Sequence, residues 1–257
     1  MNADGIPAST ALRRVAAACL ALMFAVLCAS ALLRHFGAAP VLQATWASEL
    51  GWVRQVHRVA ATLVLLGAVA MVWMAWRSRH RSDPSFALAS ALLGVAVLLS
   101  VLGVAAGASR APLVVLANLM GGLAMLGLCA RLALEPRSRG VGRIAGVMLA
   151  FVALQAAAGA LASTSANPEC VGVVDCGAWA LVHRVGGLVL ACALLLFGMM
   201  ATWATGRQAA VGLVGVALGL WLVGASAAAL GSLAVPGVVV AHNLLVAMAV
   251  ACTARLV

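Results

Sequence analysis

Apolar stretches long enough to cross a lipid bilayer recur eight times along the 257 residues, at about 15–33, 51–76, 86–107, 113–134, 144–164, 180–205, 209–230 and 237–257. About 20 such residues in helical form span a hydrocarbon core, and a helix satisfies all its own backbone hydrogen bonds there, which an open sheet does not. The expected fold class is therefore all-α, a polytopic membrane protein of eight transmembrane helices. Charge supports this: 9% of the residues are charged, where a soluble domain carries about 25%. All sixteen cations are Arg, against six carboxylates, for a net charge of +10. A nucleic-acid binder would display such an excess on a polar face, and this chain has almost none, so lipid and not nucleic acid is the expected partner.

The segments between the spans carry loop punctuation, as in RSRHRSDPS at 77–85, EPRSRGVGR at 135–143 and GSLAVP at 231–236. Arg13 and Arg14 precede a run of spanning length, which reads as a retained first helix and not a cleaved leader. With the amino terminus cytoplasmic, Arg13, Arg14, Arg77, Arg79, Arg81, Arg131, Arg137, Arg139, Arg143, Arg207 and Arg255 fall inside. Arg34, Arg54, Arg58, Arg110 and Arg184 fall outside. Arginine retained on the cytoplasmic side biases insertion, so the expectation is a multi-pass protein of the cell membrane with both termini cytoplasmic. Trp46, Trp52 and Trp179 then mark the outer interface, and Trp73, Trp76 and Trp203 the inner one.

The tetrapeptide VHRV occurs twice, with His57 near the start of the second span and His183 near the start of the sixth, 126 residues apart. Pro112 opens the fourth span and leads to Asn118; Pro236 opens the eighth and leads, at the same spacing, to His242. The chain reads as two four-helix halves, 1–135 and 140–257, in a parallel repeat about an axis along the membrane normal.

Histidine at membrane depth is costly unless it faces a bundle interior or a cofactor. A single one is equally well read as satisfied by a neighbouring carbonyl; three at one level, related by a repeat, point to ligation. The spans contain no carboxylate at that depth to complete a zinc or di-iron centre. Heme asks only for one or two axial imidazoles in an apolar pocket. His183 and His242 can supply both axial ligands in the second half. In the first half His57 stands opposite Asn118, leaving iron five-coordinate, weakly six-coordinate, or completed by another group such as His35. Arg184 and Arg58, next to the two histidines, either pair with heme propionates or reach to the lipid headgroups. Glu49, just before the second span, is a candidate for orienting a group over the first site, or an ordinary loop charge.

Cys19, Cys28, Cys129, Cys192 and Cys252 lie within spans and read as packing residues. Cys170 and Cys176, in NPECVGVVDCG, fall in the outer loop before the sixth span, where an oxidising compartment and a short gap suit a disulfide, either a structural staple or an electron relay. Gln155 in the fifth span reads as a helix–helix hydrogen bond, and His80, among arginines in a loop, as solvated.

Two four-helix halves, a His-Arg pair opening the second and sixth helices, a His on the eighth and a paired-Cys loop before the sixth resemble the heme A synthase family over essentially the full chain. The resemblance is strongest in Cys170 and Cys176 around VGVVD, in Val182, His183 and Arg184, and in Ala241, His242 and Asn243. It implies heme b on His183 and His242, and His57 at a catalytic first site where the C8 methyl of heme O is oxidised to the formyl of heme A. It also implies a heme O synthase, an electron donor or a terminal oxidase as partners, and admits a homo-oligomer. The sequence departs from the family at Asn118, where a second His is usual, at Arg54, where a Glu is usual, and in lacking a cysteine pair within 34–50. The alternative is a heme-b electron-transfer, heme-handling or oxidase-assembly membrane protein without synthase chemistry.

Overall fold

A computed structural model describes residues 10–36, 47–77, 84–106, 111–134, 141–164, 176–205, 208–229 and 236–257. They form eight helices: α1 (Thr10–Phe36), α2 (Ala47–Arg77), α3 (Ser85–Ala106), α4 (Pro112–Ala133), α5 (Gly142–Thr164), α6 (Cys176–Thr205), α7 (Gln208–Ala229) and α8 (Pro236–Leu256). No strand occurs among the described residues. Seven of the eight are long and apolar enough to span a membrane; in α7 the apolar stretch runs Val211–Gly224. Proline opens α4 and α8, where a missing N–H costs nothing because the first turn has no intrahelical acceptor for it. The protein is thus an all-α polytopic membrane protein.

The outer surface is apolar, as lipid contact requires. Large hydrophobic side chains such as Leu98, Leu154, Leu196 and Leu222 are exposed, an arrangement that water would penalise and hydrocarbon does not. Trp52 is exposed near one end of the bundle, and Trp73, Trp76 and Trp203 near the other. Arg77 lies 4.6 Å over the Trp73 ring, a cation–π contact suited to the headgroup layer.

Helix neighbours close into two rings. α1 packs on α2, α2 on α3, α3 on α4 and α4 back on α1; α5 packs on α6, α6 on α7, α7 on α8 and α8 back on α5. The rings meet through α4 with α8, α1 with α8, and α4 with α5. Exchanging α1 with α5 and α4 with α8 maps this set of contacts onto itself, the pattern of a two-fold relation.

The packed core is displaced toward one end. Its buried members come from the carboxyl-terminal parts of α2, α4, α6 and α8 (Met71, Leu126, Leu194, Val250) and the amino-terminal parts of α1, α3, α5 and α7 (Leu12, Leu92, Val152, Leu213). All of these ends lie on one side of the bundle. At the other end, where α2, α4, α6 and α8 begin, the described buried cluster is small: Ala31, Phe36, Leu50 and Val239. Small residues allow close approach in the packed end, where the Cys19 sulfur seats against Gly67.

Candidate functional site

The histidines lie at the end of the bundle where α2, α4, α6 and α8 begin. His57 is in the third turn of α2, His183 in the second turn of α6 and His242 in the second turn of α8. All three are half-buried.

The His183 and His242 rings are in edge contact, with centroids 5.9 Å apart and ring planes 76° apart. Two imidazoles bound on opposite sides of one metal, each through a metal–nitrogen bond of about 2 Å, hold their centroids roughly 6 Å apart. The centroid separation is of that order. No group of three or more His, Cys, Asp or Glu that could hold a metal occurs among the described residues. Among the described residues a tetrahedral zinc or di-iron site would lack its further donors, whereas a macrocycle-held metal would ask only for imidazoles.

α5 positions the His183 ring. Nδ1 of His183 lies 3.3 Å from the backbone carbonyl of Gln155, so the Nδ1–H tautomer donates there and leaves the Nε2 lone pair free for a metal. The Gln155 side-chain amide lies 3.0 Å from the same Nδ1 and also donates to the His183 carbonyl. Both tautomers accordingly have a partner, and ligation selects the first. The ring can lie this close to α5 because residue 159 is glycine: a Cβ there would stand 2.6 Å from Cε1 of His183. Gly186 and Gly187 make the matching space for the Gln155 side chain.

The first half repeats one part of this arrangement. Nδ1 of His57 lies 3.3 Å from the carbonyl of Val26 on α1, as Nδ1 of His183 does from a carbonyl on α5, the equivalent helix. The rest is not repeated. Asn118 is exposed on α4 and its side chain makes no hydrogen bond among the described residues. No ring contact joins His57 to another histidine among those residues; His35, at the end of α1, contacts Phe36 instead, with centroids 5.1 Å apart. Glu49 is exposed in the first turn of α2, where it accepts a 2.7 Å hydrogen bond from Ser48 Oγ. Eight residues of helix place it about 12 Å along the axis from His57, and its carboxylate suits the positive end of the helix dipole.

Arg184, Arg58 and Arg54 are exposed at the rim of the same end. Cys170, His80 and the Cys176 side chain lie outside the described residues, while Cys19, Cys28, Cys129, Cys192 and Cys252 are free thiols within helices. The interhelical role expected of Gln155 is present, but its target, the histidine of the candidate pair, was not readable from one polar residue in an apolar run. Sequence reasoning also missed Arg34. It lies in the last turn of α1, and α1 of the first ring packs on α8 of the second, the helix that carries His242. Its place at the histidine end of α1 was the one available signal.

No family model matches the chain, and no curated protein matches it.

Proposed function

We propose that the protein is a membrane hemoprotein of heme A synthase-like design, with heme b held by His183 and His242 in its second half. The observation that carries this reading is the 5.9 Å separation of the two imidazoles, on a pair whose outer nitrogen is already held at His183. A further feature fits this reading: glycine at 159 lets the His183 ring sit close against α5. Heme b supplies one-electron transfer when bound. The chain's own residues do the rest: the Gln155 carbonyl holds the Nδ1 proton, and Arg34 and Arg184 offer positive charge to ionised propionates. In the first half His57, with Nδ1 3.3 Å from the Val26 carbonyl, is the residue that would hold the substrate heme O, whose C8 methyl group would be oxidised to a formyl with dioxygen as the oxidant, its other oxygen atoms leaving as water on electrons and protons from an external donor.

A second reading is favoured by a specific observation. Among the described residues His57 has no second imidazole beside it, and Glu49, about 12 Å along α2 from it, bonds Ser48. On this reading the protein is a heme-b electron-transfer, heme-handling or oxidase-assembly protein of the cell membrane, both termini cytoplasmic. Acid-acetone extraction of the purified protein, with chromatographic separation of hemes B, O and A, tests both. Heme B with heme O or A supports the synthase-like reading, heme B alone the second, and no heme contradicts both.

A further inference from the structure

In the packed end, a cavity of about 270 Å³ opens where α4 of one ring meets α5 and α8 of the other. Its wall is apolar, with Leu123, Leu128, Leu149 and Val250 lining it, and small residues at Ala124, Gly127, Ala153 and Ala254 hold it open. A Cβ on Gly127 would only reach ordinary contact with Val250 and Ala254, at 3.6 and 3.8 Å, so the space is not required by backbone approach. One polar side chain lines this cavity, Arg131. Its Nη1 is buried and has no hydrogen-bond partner, and the same holds for Nε of Arg255, in the last turn of α8. Neither arginine is joined by an ion pair to any described residue.

A buried guanidinium N–H without an acceptor is costly, by roughly 1–3 kcal/mol for a neutral group and more for a charged one. The ligand that removes this cost must bring an anionic oxygen to the helix end and an apolar chain to the cavity. A basic pocket between transmembrane helices at headgroup depth is a recognised form of anionic-lipid site. We infer that this cavity is a binding site for an anionic phospholipid, an acyl chain lying between α4, α5 and α8 and the phosphate on Arg131. The site bridges the two rings, so the lipid joins them away from the histidines. Inorganic phosphate gains nothing from the apolar wall.

The test is lipid retention by the full-length protein. Delipidated protein is incubated in micelles holding equal phosphatidylglycerol and phosphatidylcholine, re-purified, and its lipid quantified. Phosphatidylglycerol should be retained about fivefold over phosphatidylcholine, the preference one arginine near an anionic headgroup provides. Arg131→Gln should abolish the preference, and Gly127→Leu, which fills the cavity, should lower retention of both lipids. Glu135, four residues beyond Arg131, lies outside the described residues; Glu135→Gln should leave the preference in place. Equal retention of the two lipids by the wild-type protein, or displacement of phosphatidylglycerol by millimolar inorganic phosphate, would overturn the inference. If Arg131→Gln does not fold, the wild-type preference and the Gly127→Leu result decide the matter.

Discussion

His183 is held from behind by Gln155: its Nδ1 lies 3.3 Å from that residue's carbonyl oxygen and 3.0 Å from its side-chain amide. One residue of α5 therefore controls both the orientation and the tautomer of an imidazole on α6. Partners of this kind, one step removed from a metal, typically change its affinity by about 10–100-fold when lost. Gln155→Leu keeps the backbone carbonyl and removes the amide. The expected outcome is a protein whose heme affinity is not lowered, because the carbonyl that accepts the Nδ1 proton of the ligating tautomer remains and the amide favours only the other tautomer, measured by hemin titration of the apoprotein.

Gly159 gives a sharper steric test. A side chain there meets the His183 ring at 2.6 Å from Cε1, and overpacking of this kind costs about 1–3 kcal/mol or displaces the obstructing group. Gly159→Val is expected to abolish the low-spin heme spectrum while helical circular dichroism persists. Gly146→Ala, on the same helix with nothing within 4 Å of its Cβ position, is the control and should leave the spectrum unchanged.

The elements were legible because their signal is one of length. An apolar run at 86–107 becomes α3, Ser85–Ala106, and one at 113–134 becomes α4, Pro112–Ala133. α1 extends past its apolar run to include Arg13 and Arg34, since a long basic side chain can reach the interface from inside a helix. Which residues meet is a different matter, because it depends on helix rotation. His183 and His242 were readable as a pair from their matched depth. That the His183 ring rests on Gly159, and that α1 packs across on α8 of the second ring, follows from how the helices seat on one another, and no period in the sequence records that. Asn118 shows the reverse: equivalence by repeat aligned it with His242, yet its side chain is exposed.

At the first site, Asn118 and Arg54 stand where the resemblance implies His and Glu. A positive Arg54 one turn from His57 disfavours a cationic intermediate at a bound substrate, the more so as the site is desolvated. A strain relying on this protein for heme A is expected to make it slowly or to stall at a partly oxidised product, and Asn118→His with Arg54→Glu should raise the yield, measured by heme chromatography of its membranes. Vigorous production unimproved by the double change would contradict this account of the first site.

Cys170 and Cys176 are expected to form a disulfide on the outer face. Thiol labelling of intact cells with a membrane-impermeant reagent should modify neither until a reductant is added. Full labelling of both without reductant would show that the bridge is absent.

The central claim is that His183 and His242 are the two axial ligands of one heme b, and the most direct measurement is the reduced visible spectrum of the purified protein alongside His183→Ala and His242→Ala. The wild-type protein should show sharp low-spin b-type bands, and either substitution should remove them, because a single remaining imidazole leaves iron with an open position. Low-spin bands unchanged in both variants, or a wild-type protein without heme, would contradict it.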